Sequence, residues 1–196
     1  MLFEGLTQMN RFLVSAAATA ISAALAVAVS GCFPSLEKDP DFPRYFTKRI
    51  PGNTFQAKVE GDRLYGVDVE LKKDGSSYRG RSKVGVIDLR SDGETIQGDM
   101  GTGRTELHVV DGPEGLSGKG MVGGGLSHFD LSADRFSGTI GNCNYDLGKN
   151  QDSGVWYEGL STCNGIGGYT RLALPAEFPK LPADERAVML AVFLGH

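Results

Sequence analysis

Residues 129–147 read FDLSADRFSGTIGNCNYDL and show the pattern that dominates the chain. Apolar and polar residues alternate in Phe129-Asp130-Leu131 and again in Tyr145-Asp146-Leu147. Alternation at a period of two turns one face of a strand toward a core and the other toward water. The stretch therefore predicts successive antiparallel strands, each with one buried and one solvated face.

A motif of apolar residue, any residue and glycine recurs along the chain. Its glycines are Gly80, Gly98, Gly118, Gly138 and Gly159. The steps between them are 18, 20, 20 and 21 residues, so each unit predicts one hairpin of a β-meander. Glycine on the apolar face lets the sheet coil tightly and leaves room for an aromatic neighbour such as Phe129 or Tyr145.

These repeats predict a mainly β domain over residues 53–174, with about ten to twelve antiparallel strands that close into a small soluble barrel. A curved open sheet or a two-sheet sandwich is the alternative. The predicted core residues are Ile87, Leu89, Leu107, Val109, Phe129, Leu131, Tyr145 and Leu147. The predicted solvent-facing residues are Asp88, Arg90, Glu106, His108, His128, Asp130 and Asp146. Because a membrane-spanning barrel needs a continuous apolar outer band, this charged face argues against one.

Residues 175–196 predict a Pro-rich connector followed by one C-terminal helix. Pro182 and the acidic pair after it suit a helix start, and Gly195 suits a stop. Nearly every residue after Arg186 is apolar, so we expect the helix to be buried against the sheet or across a barrel mouth.

Residues 1–31 have the anatomy of a signal peptide. Arg11 precedes a small, apolar stretch from Phe12 to Ser30, and either Met1 or Met9 suits the start. A membrane-spanning anchor is the alternative, since 19 residues just cross a bilayer. Residues 32–52 hold four of the eight prolines and predict an extended tether.

The end of the signal peptide, Val29-Ser30-Gly31-Cys32, resembles the lipobox of bacterial lipoproteins. The resemblance implies that Cys32 receives a diacylglyceryl group, that cleavage occurs before it, and that its new amine is acylated, as with palmitate. Several acyl chains hold a protein stably on a membrane. Phe33 stands where the family's inner-membrane retention mark has Asp, which points to the outer membrane, on its periplasmic or its surface side.

Two further resemblances concern the strands. Tyr78-Arg79-Gly80 resembles the opening of the membrane-occupation-and-recognition repeat. The segment from Phe136 to Gly141 is similar to strands of small β-barrel surface lipoproteins of the transferrin-binding-protein handle type. Neither resemblance assigns a binding residue.

Cys143 and Cys163 are the two cysteines that remain once Cys32 is lipidated. An envelope protein meets an oxidising compartment, where disulfides form. A hairpin tip at Ser153 puts these cysteines directly opposite each other, at roughly 4.5–5.5 Å between Cα atoms. We therefore predict a Cys143–Cys163 disulfide, with two free buried thiols as the alternative.

Other candidate chemistry is sparse. His108 and His128 share a register two strands apart but have no evident third ligand, so we expect surface histidines and no metal site. The Gly-rich residues 112–120 depart from the spacing of a phosphate loop, and hydrolase or zinc-protease signatures are missing. A net charge of −4 argues against nucleic acid as a partner. We predict no enzyme and no cofactor.

The sequence predicts a non-catalytic, membrane-anchored lipoprotein of the cell envelope whose β-barrel binds a protein or a small ligand. A structural or assembly lipoprotein is the alternative. A cavity with a few polar groups in the barrel favours ligand binding, whereas an interior filled by side chains favours a scaffold.

Replacing Cys32 by alanine tests the anchor. Without the thiol no diacylglyceryl group is attached, so we expect an uncleaved or soluble Cys32→Ala precursor in place of a membrane-bound mature chain. Mass spectrometry and detergent phase partitioning measure the difference. A variant that is still processed and stays in the detergent phase contradicts the prediction.

Overall fold

The computed structural model describes residues 45–195, so the predicted signal peptide, Cys32 and most of the predicted tether lie outside the described residues. The strands are β1 Tyr45–Ile50, β2 Asn53–Glu60, β3 Arg63–Gly66, β4 Val69–Asp74, β5 Ser77–Ser82, β6 Gly85–Ser91, β7 Thr95–Met100, β8 Gly103–Gly112, β9 Gly115–Val122, β10 Gly125–Leu131, β11 Arg135–Ile140, β12 Cys143–Lys149, β13 Trp156–Cys163 and β14 Ile166–Ala173. A single 3₁₀ turn, Phe178–Lys180, and the helix α1, Ala183–Leu194, follow them.

Each strand pairs antiparallel with the next, and β14 pairs with β1 to close the barrel. The prediction of a closed antiparallel barrel with a C-terminal helix is confirmed. The barrel has fourteen strands where ten to twelve were predicted, and its first strand begins at Tyr45, within the segment predicted as a tether. Phe46 in the predicted tether points inward and is fully buried, and its neighbour Thr47 lies opposite Ala173. The tether therefore supplies the strand that closes the ring.

The inward and outward faces follow the alternation. All eight predicted core residues are buried, with at most 8% of their surface exposed. The predicted solvent-facing residues are exposed except Glu106, which is half-buried. Ion pairs link neighbouring strands on the outer face, such as Arg135 with Asp146 at 2.7 Å and Arg79 with Asp88 at 3.3 Å.

The helix α1 lies in the lumen of the barrel. Nine of its twelve residues are buried, and they occur on every side of the helix. Phe193 contacts Phe46 of β1, with ring centroids 5.4 Å apart. The Tyr145 hydroxyl of β12 donates a hydrogen bond to the Leu194 carbonyl oxygen. The sequence predicted a helix against the sheet or across a mouth. It enters the lumen because fourteen strands make a ring too wide for their own side chains to fill.

Ion pairs hold the first turn of α1 at the end of the barrel where the chain leaves β14, here called the connector end. Lys73 Nζ lies 2.7 Å from the buried Glu185 carboxylate, and Arg186 pairs with Asp111. The opposite end, here called the pocket end, carries the turn after β1 and every second turn from there. Among residues 45–195, no helix is long and apolar enough to cross a membrane.

The glycines of the repeat face inward, as predicted. Gly138 lies opposite Phe129 and Tyr145, and its φ is +115°. A Cβ atom there would lie 2.1 Å from the His128 carbonyl oxygen. At Gly118 it would meet the Phe129 ring at 2.4 Å. The repeated glycine is therefore required by close approach of the neighbouring strand or ring.

We expect Gly138→Ala to lower the free energy of unfolding by about 2 to 4 kcal/mol, because it adds both backbone strain and a steric clash. Urea denaturation followed by circular dichroism measures the loss. Gly148→Ala on β12 is the control, since a Cβ there meets nothing within 4 Å. We expect it to change stability by no more than about 0.5 kcal/mol. Equal unfolding midpoints for the two variants would refute this role of the glycine.

Candidate functional site

A cavity of about 520 Å³ opens at the pocket end. Phe193 of α1 and Gly195, the residue after the helix, form part of its lining, and the inward side chains of Phe55, Val69 and Met100 add apolar wall. Its polar lining residues are Lys48, Gln56, Asp68, Lys83, Thr102, Asn142 and Asn164. Small-molecule sites typically enclose about 300–1,000 Å³ with mostly apolar walls and a few polar groups. The cavity has a volume in this range, and its lining combines polar and apolar residues in similar measure.

Lys48 is the buried cationic residue of this cavity. It faces inward from β1, is only 5% exposed, and donates a hydrogen bond from Nζ to Tyr145 Oη at 2.9 Å. Among the described residues it has no carboxylate partner. Desolvation by burial disfavours the ammonium and lowers the pKa of Lys48 to about 8. The site thus holds an amine that is mostly charged near neutral pH and that residues 45–195 leave without a counter-ion.

Tyr145 joins Lys48 to the end of the helix. Its hydroxyl donates to the Leu194 carbonyl oxygen at 2.8 Å. That carbonyl belongs to the last turn, whose carbonyl groups have no partner within the helix. Burial raises the pKa of Tyr145 above its ordinary value, so the phenol stays protonated and keeps this bond. The negative end of the helix dipole also favours a cation nearby.

Small inward residues separate Lys48 from Tyr145. Strands β14 and β13 lie between β1 and β12 in the ring. Their inward positions include Gly159, Ser161 and Thr170, and the two hydroxyls are 2.6 Å apart. Because these side chains are short, the long side chain of Lys48 has space to reach Tyr145.

The cysteine pair borders the same site. Cys143 lies opposite Cys163 in the β12–β13 register, as predicted, with their Cα atoms 4.1 Å apart. The two Sγ atoms are at the bonding distance of 2.08 Å. Cys163 Sγ is 4.0 Å from Tyr145 Oη, and the neighbouring Asn142 and Asn164 line the cavity. The pair therefore ties two strands together at the edge of the cavity.

His108 and His128 are not among the lining residues of this cavity. His108 and His128 are exposed on the outer face, and Lys119 of β9 stands opposite both of them, between their strands. His108 Nδ1 is 3.1 Å from the Thr95 hydroxyl, while His128 Nε2 is 3.6 Å from Asp130. No group of three or more His, Cys, Asp or Glu suited to a metal ion occurs among residues 45–195.

The sequence analysis missed Lys48 as a site residue. It lay in the predicted tether, and a lysine in an alternating segment normally marks the solvated face. Tyr145 was predicted only as a core residue. The spacing of Phe46, Lys48 and Ile50 is the one local signal that Lys48 faces inward. It can be interpreted only once β1 is known to close the barrel.

The charge of Lys48 makes stability depend on pH. Its ordinary pKa of 10.5 falls to about 8 in the folded chain, so between these values the unfolded chain binds more protons. We therefore expect the free energy of unfolding to rise between pH 8 and 10 by up to about 1.4 kcal/mol per pH unit through this residue. Urea denaturation at several pH values measures the slope.

Lys48→Met should lose this part of the slope, since the buried amine is gone. Lys119→Met, on the exposed outer face of β9, controls for the loss of one charge. Identical pH slopes for the parent chain and Lys48→Met would contradict the expectation.

Comparison of the chain with protein-family models, curated proteins and solved structures finds no match. The function must therefore be argued from the barrel and the cavity at its pocket end.

Proposed function

We propose that this protein is a lipid-anchored envelope protein that binds a small, partly apolar molecule at the pocket end of its barrel. The observation that carries the proposal is the cavity of about 520 Å³ with Lys48 among its lining residues. Apolar walls bury the body of a ligand, and a small number of polar groups fixes its orientation. An interior filled along its whole length would instead favour the structural or assembly alternative.

The direction of the chain supports an anchor at the other end. β1 starts at Tyr45 on the connector end, so the segment from Cys32 joins the barrel opposite the cavity. Twelve residues, 33–44, separate Cys32 from Tyr45 and span at most about 40 Å when extended. The chain thus enters the barrel at the end away from the cavity, which supports a ligand site at the pocket end of an anchored barrel.

Exposed apolar side chains occur in or next to several turns of the pocket end, and we call this set the apolar rim. Its members are Val67, Val84, Val86, Leu126 and Ile166. Val67 is 99% exposed, and Leu126 and Ile166 are about four-fifths exposed, at 80% and 79%. Clustered exposed apolar residues commonly mark ligand or partner sites. One of the five, Val84, also lines the cavity, which favours a ligand with an apolar part.

Binding of the neutral fluorescent probe N-phenyl-1-naphthylamine tests the proposal. We expect saturable binding of one probe per chain in the full-length Cys32→Ala protein, where no acyl chain competes. Thr102 lines the cavity from the turn after β7, so Thr102→Phe should weaken binding about tenfold by filling space. Fluorescence titration measures both affinities.

Ser76→Phe is the matched control, because Ser76 is exposed in a turn at the connector end. It should bind the probe like the parent. The ligand-binding proposal fails if the probe binds without saturation, or if both phenylalanine variants bind as the parent does.

A further inference from the structure

We infer that the pocket end selects amphiphiles with a carboxylate head that pairs with Lys48 Nζ and an apolar tail that packs on the apolar side chains of the cavity wall. This inference rests on the proposed function and names the class of ligand. It commits to a single negatively charged head on an aliphatic body of the size that the cavity admits.

The hydrogen bonds of Lys48 leave room for such a head. An ammonium group has three N–H donors. One of them is used by Tyr145 Oη at 2.9 Å, and Lys48 lines the cavity. Buried charges in proteins are normally paired. A ligand carboxylate supplies the counter-charge that the described residues do not provide.

The charges around Lys48 agree with this choice. Tyr145 of β12 is neutral, and the Leu194 carbonyl of α1 already accepts the tyrosine hydroxyl. Phe55 of β2, opposite Lys48 in the register, carries no charge. Of the other charged lining residues, Asp68 is half-buried and Lys83 is exposed, so two ammonium groups and one carboxylate border the cavity. The deepest of these charged groups is the ammonium of Lys48.

The buried part of the cavity lining combines Lys48 with apolar side chains, since Met100 and Phe193 also line the cavity and are 2% and 7% exposed. Lys48 is 5% exposed and lies deep, whereas the rim residue Val84 both lines the cavity and is 40% exposed. Phe55 and Val69 provide apolar wall. A ligand whose carboxylate pairs with Lys48 therefore has apolar side chains beside it to contact its aliphatic part.

A competing explanation gives Lys48 a structural role only, as a donor to Tyr145 that steadies the end of α1. The two explanations differ in their response to ligand charge. If Lys48 is only structural, the affinity does not depend on the charge of the ligand's head group. If Lys48 pairs with the ligand, a negatively charged head group raises the affinity.

The experiment uses displacement of N-phenyl-1-naphthylamine by octanoate and by octan-1-ol at pH 7 on the full-length Cys32→Ala chain. A charge-assisted hydrogen bond predicts that octanoate binds about tenfold or more tightly than octan-1-ol. Lys48→Gln should reduce this preference to within about twofold, since a neutral amide pairs weakly with a carboxylate. Lys83→Gln, on the rim of the same cavity, is the control and should keep most of the preference.

A second measurement needs no variant. Lys48 is half protonated near pH 8, so pairing with octanoate should take up about half a proton per chain at that pH. Calorimetry in buffers of different ionisation enthalpy measures this uptake, and octan-1-ol should cause none.

Equal affinities for octanoate and octan-1-ol overturn the inference, as does a preference that survives in Lys48→Gln. An absence of proton uptake with octanoate overturns it as well. In each case saturable probe binding that Thr102→Phe weakens leaves the proposed function standing, so the two failures are distinguishable.

Discussion

The burial of α1 in the lumen is the interaction on which the rest of the structure depends. Fourteen strands enclose more space than their inward side chains fill. The helix supplies the missing core with residues such as Val188 and Leu190, both fully buried. Its ends are tied to the wall by Glu185 with Lys73 and by the Leu194 carbonyl with Tyr145. At 1.5 Å per residue, its twelve residues span about 18 Å, and the cavity begins where the helix stops.

The inward glycines are the counterpart of that helix. A barrel that holds a helix and large aromatic side chains needs wall positions with no side chain at all. Gly118 accommodates the Phe129 ring, and Gly138 lets its strand approach the backbone at His128. The short inward residues of β13 and β14 leave space for the Lys48 side chain. The barrel wall thus has small residues at the positions where the helix, the aromatic rings or the Lys48 side chain occupy the lumen.

Keeping Lys48 in this interior costs stability, because burial disfavours the charged amine. The nearby helix terminus and the Tyr145 hydroxyl offset only part of that cost, and the pKa remains at about 8. Hydrophobic replacements of buried charges are often neutral or stabilising. Under the proposed function, a ligand carboxylate in the cavity supplies the charge that offsets this cost.

The sequence by itself determined the local features of this protein. Alternation predicted the inward residues, a hairpin tip at Ser153 predicted the register of Cys143 with Cys163, and Pro182 and Gly195 predicted the ends of the helix. Only the tertiary structure decided that Tyr45–Ile50 closes the ring and that the helix enters the lumen. The reason is that strand pattern depends on neighbours one and two residues away, whereas closure joins β1 to β14 across more than a hundred residues. The inward position of Lys48 follows from that closure, so the candidate site was readable only in the folded barrel.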